Sequence, residues 1–306
     1  MKRVISMILL SLACLFIAAC AHPEGYIDFT QPQGARPALV QPGEKPLRIA
    51  FASVMSPRET RQVYQQIVTY ISQKQQRPAV LIQRRTYEEL NALLANGDAD
   101  VAFSSTGAYA AYQGQVPIEL LAMAETNGSS HYQTYIITAA DSDIRDFSQL
   151  RGRVFAFTDP LSYSGCLAVK FLLAQEGETP ETFFNRFFYT HGHDKSLWSV
   201  ANHLADAAGV DSQIYELMAD TNPALAKEVR ILDALPEAPT GPVVVRSDLD
   251  GAEKEELRHI FYTMHKDEDL AKAMKTIVID RFIPPDAAAY DDFKRQYAAQ
   301  KRLAGT

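Results

Sequence analysis

Basic residues are in the minority in this 306-residue chain, with 30 lysines and arginines against 37 aspartates and glutamates and a formal net charge of −7. A protein that binds nucleic acid chiefly through phosphate contacts carries a basic excess, so that class of partner is excluded from the expectation. The same sum argues, at first sight, against any anionic ligand. Catalytic signatures are missing too: there is no Gly-x-Ser-x-Gly elbow, Walker loop, His-Glu-x-x-His helix or Cys-x-x-Cys pair. Glycine (15) and proline (16) are too sparse for a collagen-like or low-complexity chain, and 47% hydrophobic residues rule out a disordered one. At this length a chain buries roughly three quarters of its unfolded surface and commonly divides into two lobes with a cleft between them.

Cysteine is the scarcest informative residue, with three in all: Cys14, Cys20 and Cys166. Lys2 and Arg3 precede an uncharged run over 4–19, a positive n-region followed by an apolar h-region, as in an export signal. The run falls short of the roughly 20 residues that a membrane-spanning helix needs. It ends in Ile17-Ala18-Ala19-Cys20, which resembles a bacterial lipobox, where cleavage precedes an acylated cysteine. Ordinary cleavage beside an incidental Cys20, or an uncleaved anchor, are the competing readings. Cleavage at Cys20 makes the mature chain more acidic, because Lys2 and Arg3 leave with the signal. Cys14 leaves as well and Cys20 carries lipid, so Cys166 remains alone and the mature domain has no intramolecular disulfide. Residues 21–46 are rich in Pro, Gly and Gln without an apolar period, which suits a tether.

From residue 47 onwards strands and helices alternate. The run 47–54 (LRIAFASV) reads as a strand, and Ser56-Pro57-Arg58-Glu59 combines a capping serine, a first-turn proline and a glutamate three residues after the cap. The unit repeats with a strand over 79–83, a second capping box at Thr86-Tyr87-Glu88-Glu89, and a strand over 99–103. Further strands are expected at 119–124, 132–139, 153–157, 186–189, 205–210 and 243–246, with helices at 165–175, 195–203 and through 252–297. Such alternation indicates parallel βαβ units in an α/β fold. The expected organisation is a signal over 1–19, a lipidated Cys20 with a tether over 20–46, one lobe from 47–138 plus 242–306, and a second lobe over 139–241. In such folds ligands bind beyond the carboxyl ends of the strands.

Two hydroxyl-rich turns stand at those ends. The strand over 99–103 runs into Ser104-Ser105-Thr106-Gly107-Ala108-Tyr109, and the strand over 153–157 into Thr158-Asp159-Pro160-Leu161-Ser162-Tyr163-Ser164-Gly165. Helix starts present free N–H groups and a partial positive charge, and flanking hydroxyls complete an anion cradle. Either Thr106 and Ser164 simply cap their helices, or the two turns enclose a tetrahedral oxyanion between them; equivalent positions in two α/β blocks favour the second. Tyr109, one turn on, is positioned to reach the cleft. His191-Gly192-His193-Asp194-Lys195-Ser196 also ends a strand and opens a helix, where a histidine donates to an anion, binds metal or caps; His-x-His lacks a nearby third ligand, so no metal is expected. Asp211 either accepts from a protonated oxyanion or caps the helix that follows. Ser164, His193 and Asp211 also spell a possible triad, for which the sequence gives no geometry. Cys166 is a buried apolar residue or a soft-anion ligand, as for arsenite.

Taken in order, Ser105-Thr106-Gly107-Ala108-Tyr109, Asp159 to Gly165, His191 to Ser196 and Ala205-Asp206-Ala207-Ala208-Gly209-Val210-Asp211-Ser212 resemble the phosphate/phosphite/phosphonate-binding proteins of ABC importers. The resemblance spans about residues 46–300. It implies a type II bilobed periplasmic-binding-protein fold with two hinge crossings, no enzymatic activity and no cofactor. It further implies a monomer that delivers its ligand to a membrane permease, or alternatively a lipoprotein reporting an oxyanion to a sensor kinase. The implied ligand residues are Ser105, Thr106 and Tyr109 from one lobe, and Ser162, Tyr163, Ser164, His193 and Asp211 from the other. Tyr163 stands where many relatives have threonine. Gln213 and Gly241 fall near positions where aminophosphonate binders carry acids, which points towards phosphite, phosphate or a short alkylphosphonate.

Overall fold

The computed structural model describes residues 45–52 and 54–303. The expected export signal, Cys20 and the expected tether up to residue 44 lie outside the described residues. Strand β1 (Leu47–Ala52) is buried along almost its whole length, as a central strand covered on both faces must be. It is followed by α1 (Pro57–Gln75), β2 (Ala79–Arg84), α2 (Tyr87–Ala95), β3 (Val101–Phe103), α3 (Thr106–Ala111), β4 (Ile118–Glu125) and β5 (His131–Ala139). The chain continues through β6 (Val154–Phe157), a π-helical turn (Tyr163–Leu167) running into α4 (Ala168–Gln175), α5 (Pro180–Phe183), β7 (Arg186–Tyr189), α6 (His193–Ala201) and β8 (Ala207–Asp211). It ends with α7 (Ser212–Thr221), α8 (Pro223–Lys227), β9 (Val229–Pro239), β10 (Pro242–Arg246), α9 (Gly251–Thr263), α10 (Glu268–Lys275), β11 (Arg281–Ile283) and α11 (Ala287–Leu303).

Two sheets result, ordered β11-β4-β10-β3-β1-β2 and β7-β6-β8-β5-β9. Each holds a parallel core, β2-β1-β3 in the first and β7-β6-β8 in the second, flanked by antiparallel strands. The capping box at Thr86 forms as expected: Glu89 N–H donates to Thr86 Oγ1 at 3.2 Å, and Thr86 N–H to Glu89 Oε2 at 3.1 Å. The one expected at Ser56 does not. Ser56 makes no side-chain cap on α1 and turns instead to Asp194 of the other lobe.

Three expectations about organisation are corrected. Strand β5 pairs with β8 and β9, so the first lobe's leading segment ends before residue 131 and not at 138. The stretch over 252–297 is not purely helical, because β11 pairs with β4 there. The C-terminal helix α11 does not belong to one lobe: Tyr290 packs edge-on against Tyr109 in the first, while Phe293 meets Tyr163 and Tyr297 meets Phe171 in the second. The long strand β9 has no counterpart in the sequence reading. Its alternating exposure, with charged and proline residues among the apolar ones, gives neither a helical nor a clean strand period.

Sheet-to-sheet crossings occur between β4 and β5 and again between β9 and β10, and both lobes belong to one compact unit. The lobes are closed on each other by specific hydrogen bonds. His193 N–H donates to Val54 O at 3.0 Å, Tyr87 N–H to Asp159 Oδ2 at 3.2 Å, and Ser105 Oγ to Leu161 O at 3.0 Å. Asp194, in the first turn of α6, accepts from both the amide and the hydroxyl of Ser56, at the start of α1. One carboxylate thus neutralises two helix N-termini from opposite lobes, an arrangement that the helix dipoles favour.

Candidate functional site

The carboxyl ends of β1, β3, β6 and β8 converge on a cavity of about 120 Å³ between the lobes. On the second lobe, β6 delivers Thr158 and the turn that ends in Ser162. Ser162 Oγ accepts from Gly165 N–H at 3.0 Å, so Ser162 is the cap and Ser164 is not. Gly165 is required there, since a Cβ would come within 2.4 Å of Thr158 Cβ. The helix start leaves the Tyr163 and Ser164 amides without intrahelical acceptors. Ser164, 1% exposed, lines the cavity together with Ser162. Tyr163 does not: its hydroxyl donates to Pro236 O at 2.9 Å and its ring packs against Phe293, so the phenol leaves the pocket width untouched.

His193 and Asp211 form the next part of the wall. The Asp211 N–H donates to His193 Nδ1 at 3.1 Å, which fixes the neutral tautomer with its proton on Nε2. Burial lowers His193 to about 3, so at neutral pH the ring is an uncharged donor. Asp211 caps α7, Oδ1 accepting from Gln213 N–H at 2.8 Å and Ile214 N–H at 3.3 Å. Those caps fall on one oxygen, and burial still raises the carboxyl to about 7. Asp211 therefore caps a helix, as one of the two sequence readings had it, and also lies on the cavity wall.

The first lobe contributes differently from expectation. Ser105, not Thr106, caps α3: its Oγ accepts from Ala108 N–H at 3.0 Å while donating to Leu161 O. Thr106 Oγ1 donates to Pro239 O at 2.7 Å, at the second crossing. Tyr109 is directed away from the cavity wall, with Lys294 Nζ 3.9 Å above its ring and Tyr290 on its edge. Of the three hydroxyl residues expected from this lobe, only Ser105 lines the cavity, and its hydroxyl is already committed. Cys166 is fully buried in the second lobe's core, burial pushes its thiol up to about 11, and it is not on the wall, so a thiolate ligand is ruled out. The triad fails as well, since His193 Nδ1 is bonded to the Asp211 amide and the Asp211 carboxylate to helix amides.

The sequence reading missed Ser104, Tyr132, Thr240 and a broad apolar surface from the first lobe, including Phe103 and Phe282. Ser104 stood in the hydroxyl-rich turn and Tyr132 at the head of an expected strand, so both carried a signal. The segment around Ile277 to Phe282 carried none, because it reaches the cavity only through the pairing of β11 with β4. Among the described wall residues there is no lysine or arginine, and Asp211 is the only acid. No group of metal-ligating residues exists among the described residues.

Ser164, whose hydroxyl also bonds the Tyr132 phenol on the cavity wall, yields a direct expectation. Ser164→Ala removes a hydroxyl that would bond a charged oxygen, worth about 1.5–3 kcal/mol, and should weaken binding about 10- to 150-fold in calorimetry without lowering the melting temperature. Thr106→Val should do the opposite, costing about 1–3 kcal/mol of stability through the unpaired Pro239 carbonyl and leaving the ligand contacts in place.

Two α/β lobes on paired crossings, with a cavity at their strand ends, define a type II periplasmic-binding-protein fold. Residues 49–290 match the family model for the periplasmic substrate-binding protein of the phosphonate ABC transporter, and the chain belongs to that family of binding proteins, which are not enzymes. The phosphonates-binding periplasmic protein of Escherichia coli K12 is 25% identical over 144 residues, 46% of this chain and 42% of that protein, so the match spans less than half of that relative. Among solved structures, a binding protein component of an ABC phosphonate transporter from Pseudomonas aeruginosa superposes with a TM-score of 0.78 at 19% identity, covering 85% of this chain and 88% of that one. PhnD1 of Prochlorococcus marinus, solved in complex with methylphosphonate, superposes with a TM-score of 0.74 at 16% identity, covering 85% and 98%. At these identities the structural likeness is a likeness of fold.

Proposed function

We propose that the chain is a lipid-anchored solute receptor of an ABC importer, capturing a small phosphorus oxyanion such as phosphite, phosphate or a short alkylphosphonate. The observation that carries this is the second-lobe helix start, where Ser164 and free amides adjoin a neutral His193 donor and a partly protonated Asp211. A micromolar site needs about −8 kcal/mol. One helix dipole supplies about 0.3–1 kcal/mol, whereas each hydrogen bond to a charged group gives about 1.5–3. The hydroxyl, amide and imidazole donors together meet that need after ordering and desolvation costs, and no cation is required. Attachment through Cys20 would hold the receptor at the membrane face next to its permease, and no described helix is long and apolar enough to cross a membrane.

A thermal-shift panel of phosphate, phosphite, methylphosphonate, aminoethylphosphonate, sulfate and arsenite tests the reading. A ligand at 100 times its dissociation constant adds about 2.7 kcal/mol, which for a chain of this size raises Tm by about 4–5 °C. The expected result is a shift with at least one phosphorus oxyanion and none with arsenite. No shift with any phosphorus anion overturns the reading. Recovery of a permease, and not of a sensor kinase ectodomain, by the ligand-loaded protein is the expected outcome of a pull-down.

A further inference from the structure

The cavity walls are chemically unequal. The second lobe contributes Ser162, Ser164, His193, Asp211 and Gln213, whereas most of the first lobe's surface is hydrocarbon, with Val54, Met55, Phe103, Val278 and Phe282 on it. The hydroxyls that were to make the first lobe a second cradle are committed elsewhere, Ser105 to Leu161 O and Thr106 to Pro239 O. The first lobe's other polar wall groups are Ser104, which donates to Ser105 O, Thr240, which donates to Ala124 O, and the phenols of Tyr64 and Tyr87, so the surface facing the second lobe's donors is mostly hydrocarbon and meets whatever the phosphorus carries.

Val278 adds an independent observation. Its φ is +57°, in the left-handed region, just past the C-terminus of α10. That position normally holds glycine or asparagine, because a Cβ there meets the backbone, and for a β-branched residue the conformation is a real outlier. Local structure does not demand valine: the amide donates to Lys275 O at 3.2 Å and the carbonyl accepts from Thr126 Oγ1, contacts that glycine would make equally. What valine supplies is an isopropyl group that packs against the first lobe's core and stands on the cavity wall, and backbone strain of this kind is retained where a site needs it.

From these two observations the geometry points to a specificity surface on the first lobe that selects phosphonates bearing an uncharged hydrocarbon substituent over bare phosphite or phosphate. The inference rests on the phosphorus-oxyanion reading above. Space is consistent with it: at about 10–15 Å³ per water-sized group the cavity admits on the order of ten heavy atoms, of which a phosphonate group uses four. An ammonium on the substituent would face this hydrocarbon surface, with no described acid on the wall apart from Asp211.

Calorimetry with phosphite, then methyl-, ethyl-, propyl- and butylphosphonate, then aminoethylphosphonate, tests the inference. The dissociation constant is expected to fall about fourfold for each methylene added, and aminoethylphosphonate to bind more weakly than ethylphosphonate. Val278→Gly and Val278→Asn both tolerate the left-handed backbone, so the fold is expected to persist, with Tm unchanged or higher for the glycine. Both variants should lose affinity for butylphosphonate at least fivefold and keep the affinity for phosphite within about twofold, values within the reach of one or two lost methyl contacts. A series that is flat with chain length, or phosphite binding as tightly as butylphosphonate, overturns the surface while leaving the oxyanion reading intact. Failure of every phosphorus anion to bind overturns both.

Discussion

Gly107→Ala is expected to suppress ligand binding while both lobes stay folded. Gly107 lies in the first turn of α3, and a Cβ there would come within 2.3 Å of Leu161 O and 2.5 Å of Leu167 Cδ1, both on the opposite lobe. One of those atoms is backbone and cannot swing aside, so the closed arrangement is penalised by at least the 1–3 kcal/mol typical of overpacking. The open arrangement gains, because alanine is the better helix former by about 1 kcal/mol. Apparent affinity scales with the population of the competent state, so a fall of about 30- to 900-fold is expected, with unchanged or slightly raised Tm without ligand. Asp194→Asn is the graded counterpart. It removes the charge that joins Ser56 to α6 but no cavity contact, and should weaken binding about 5- to 20-fold. Small-angle scattering of the alanine variant with ligand should report the open form; a closed form with wild-type affinity would contradict this account.

Asp211→Asn is expected to change the pH dependence of binding more than its strength at neutral pH. Burial raises the Asp211 carboxyl to about 7, so near neutrality one proton is available to be shared between it and the bound oxyanion. Above that value both partners are anionic and repel. Wild-type affinity should therefore decline as pH rises through 7, approaching tenfold per unit, and be about 50-fold weaker at pH 9 than at pH 7. Asparagine keeps the cap of Gln213 and Ile214, being as good an N-cap as aspartate, and donates without titrating. The variant's affinity should vary less than about threefold between pH 6 and 9. A wild-type profile that is flat over that range would remove Asp211 from proton sharing.

Much of the fold was legible because it is written in local periodicity. The strands of both parallel cores were read from apolar runs alternating with helices, without their order in the sheet, and the Thr86 box marks a helix start that the structure reproduces. What escaped notice was non-local. Strand β5 looks the same in either sheet, and only its pairing with β8 and β9 assigns it to the second lobe. The helix α11 has a regular amphipathic sequence, but the ring contacts of Tyr290, Phe293 and Tyr297 make it span both lobes.

The acidic net charge says little about the cavity, which holds one partly protonated acid among the described wall residues and several neutral donors. The sequence by itself determined that this is a two-lobed α/β chain with hydroxyl-rich turns at its strand ends. Those features are set within a few residues by caps, periods and composition. Only the tertiary structure decided which hydroxyls remain available, because a serine's oxygen can cap a helix, bridge to the other lobe or face a ligand, and the choice depends on atoms distant in the chain. Ser105 and Thr106 are committed by Leu161 and Pro239, and Ser164 is left to the cavity by Ser162, which takes the cap in its place.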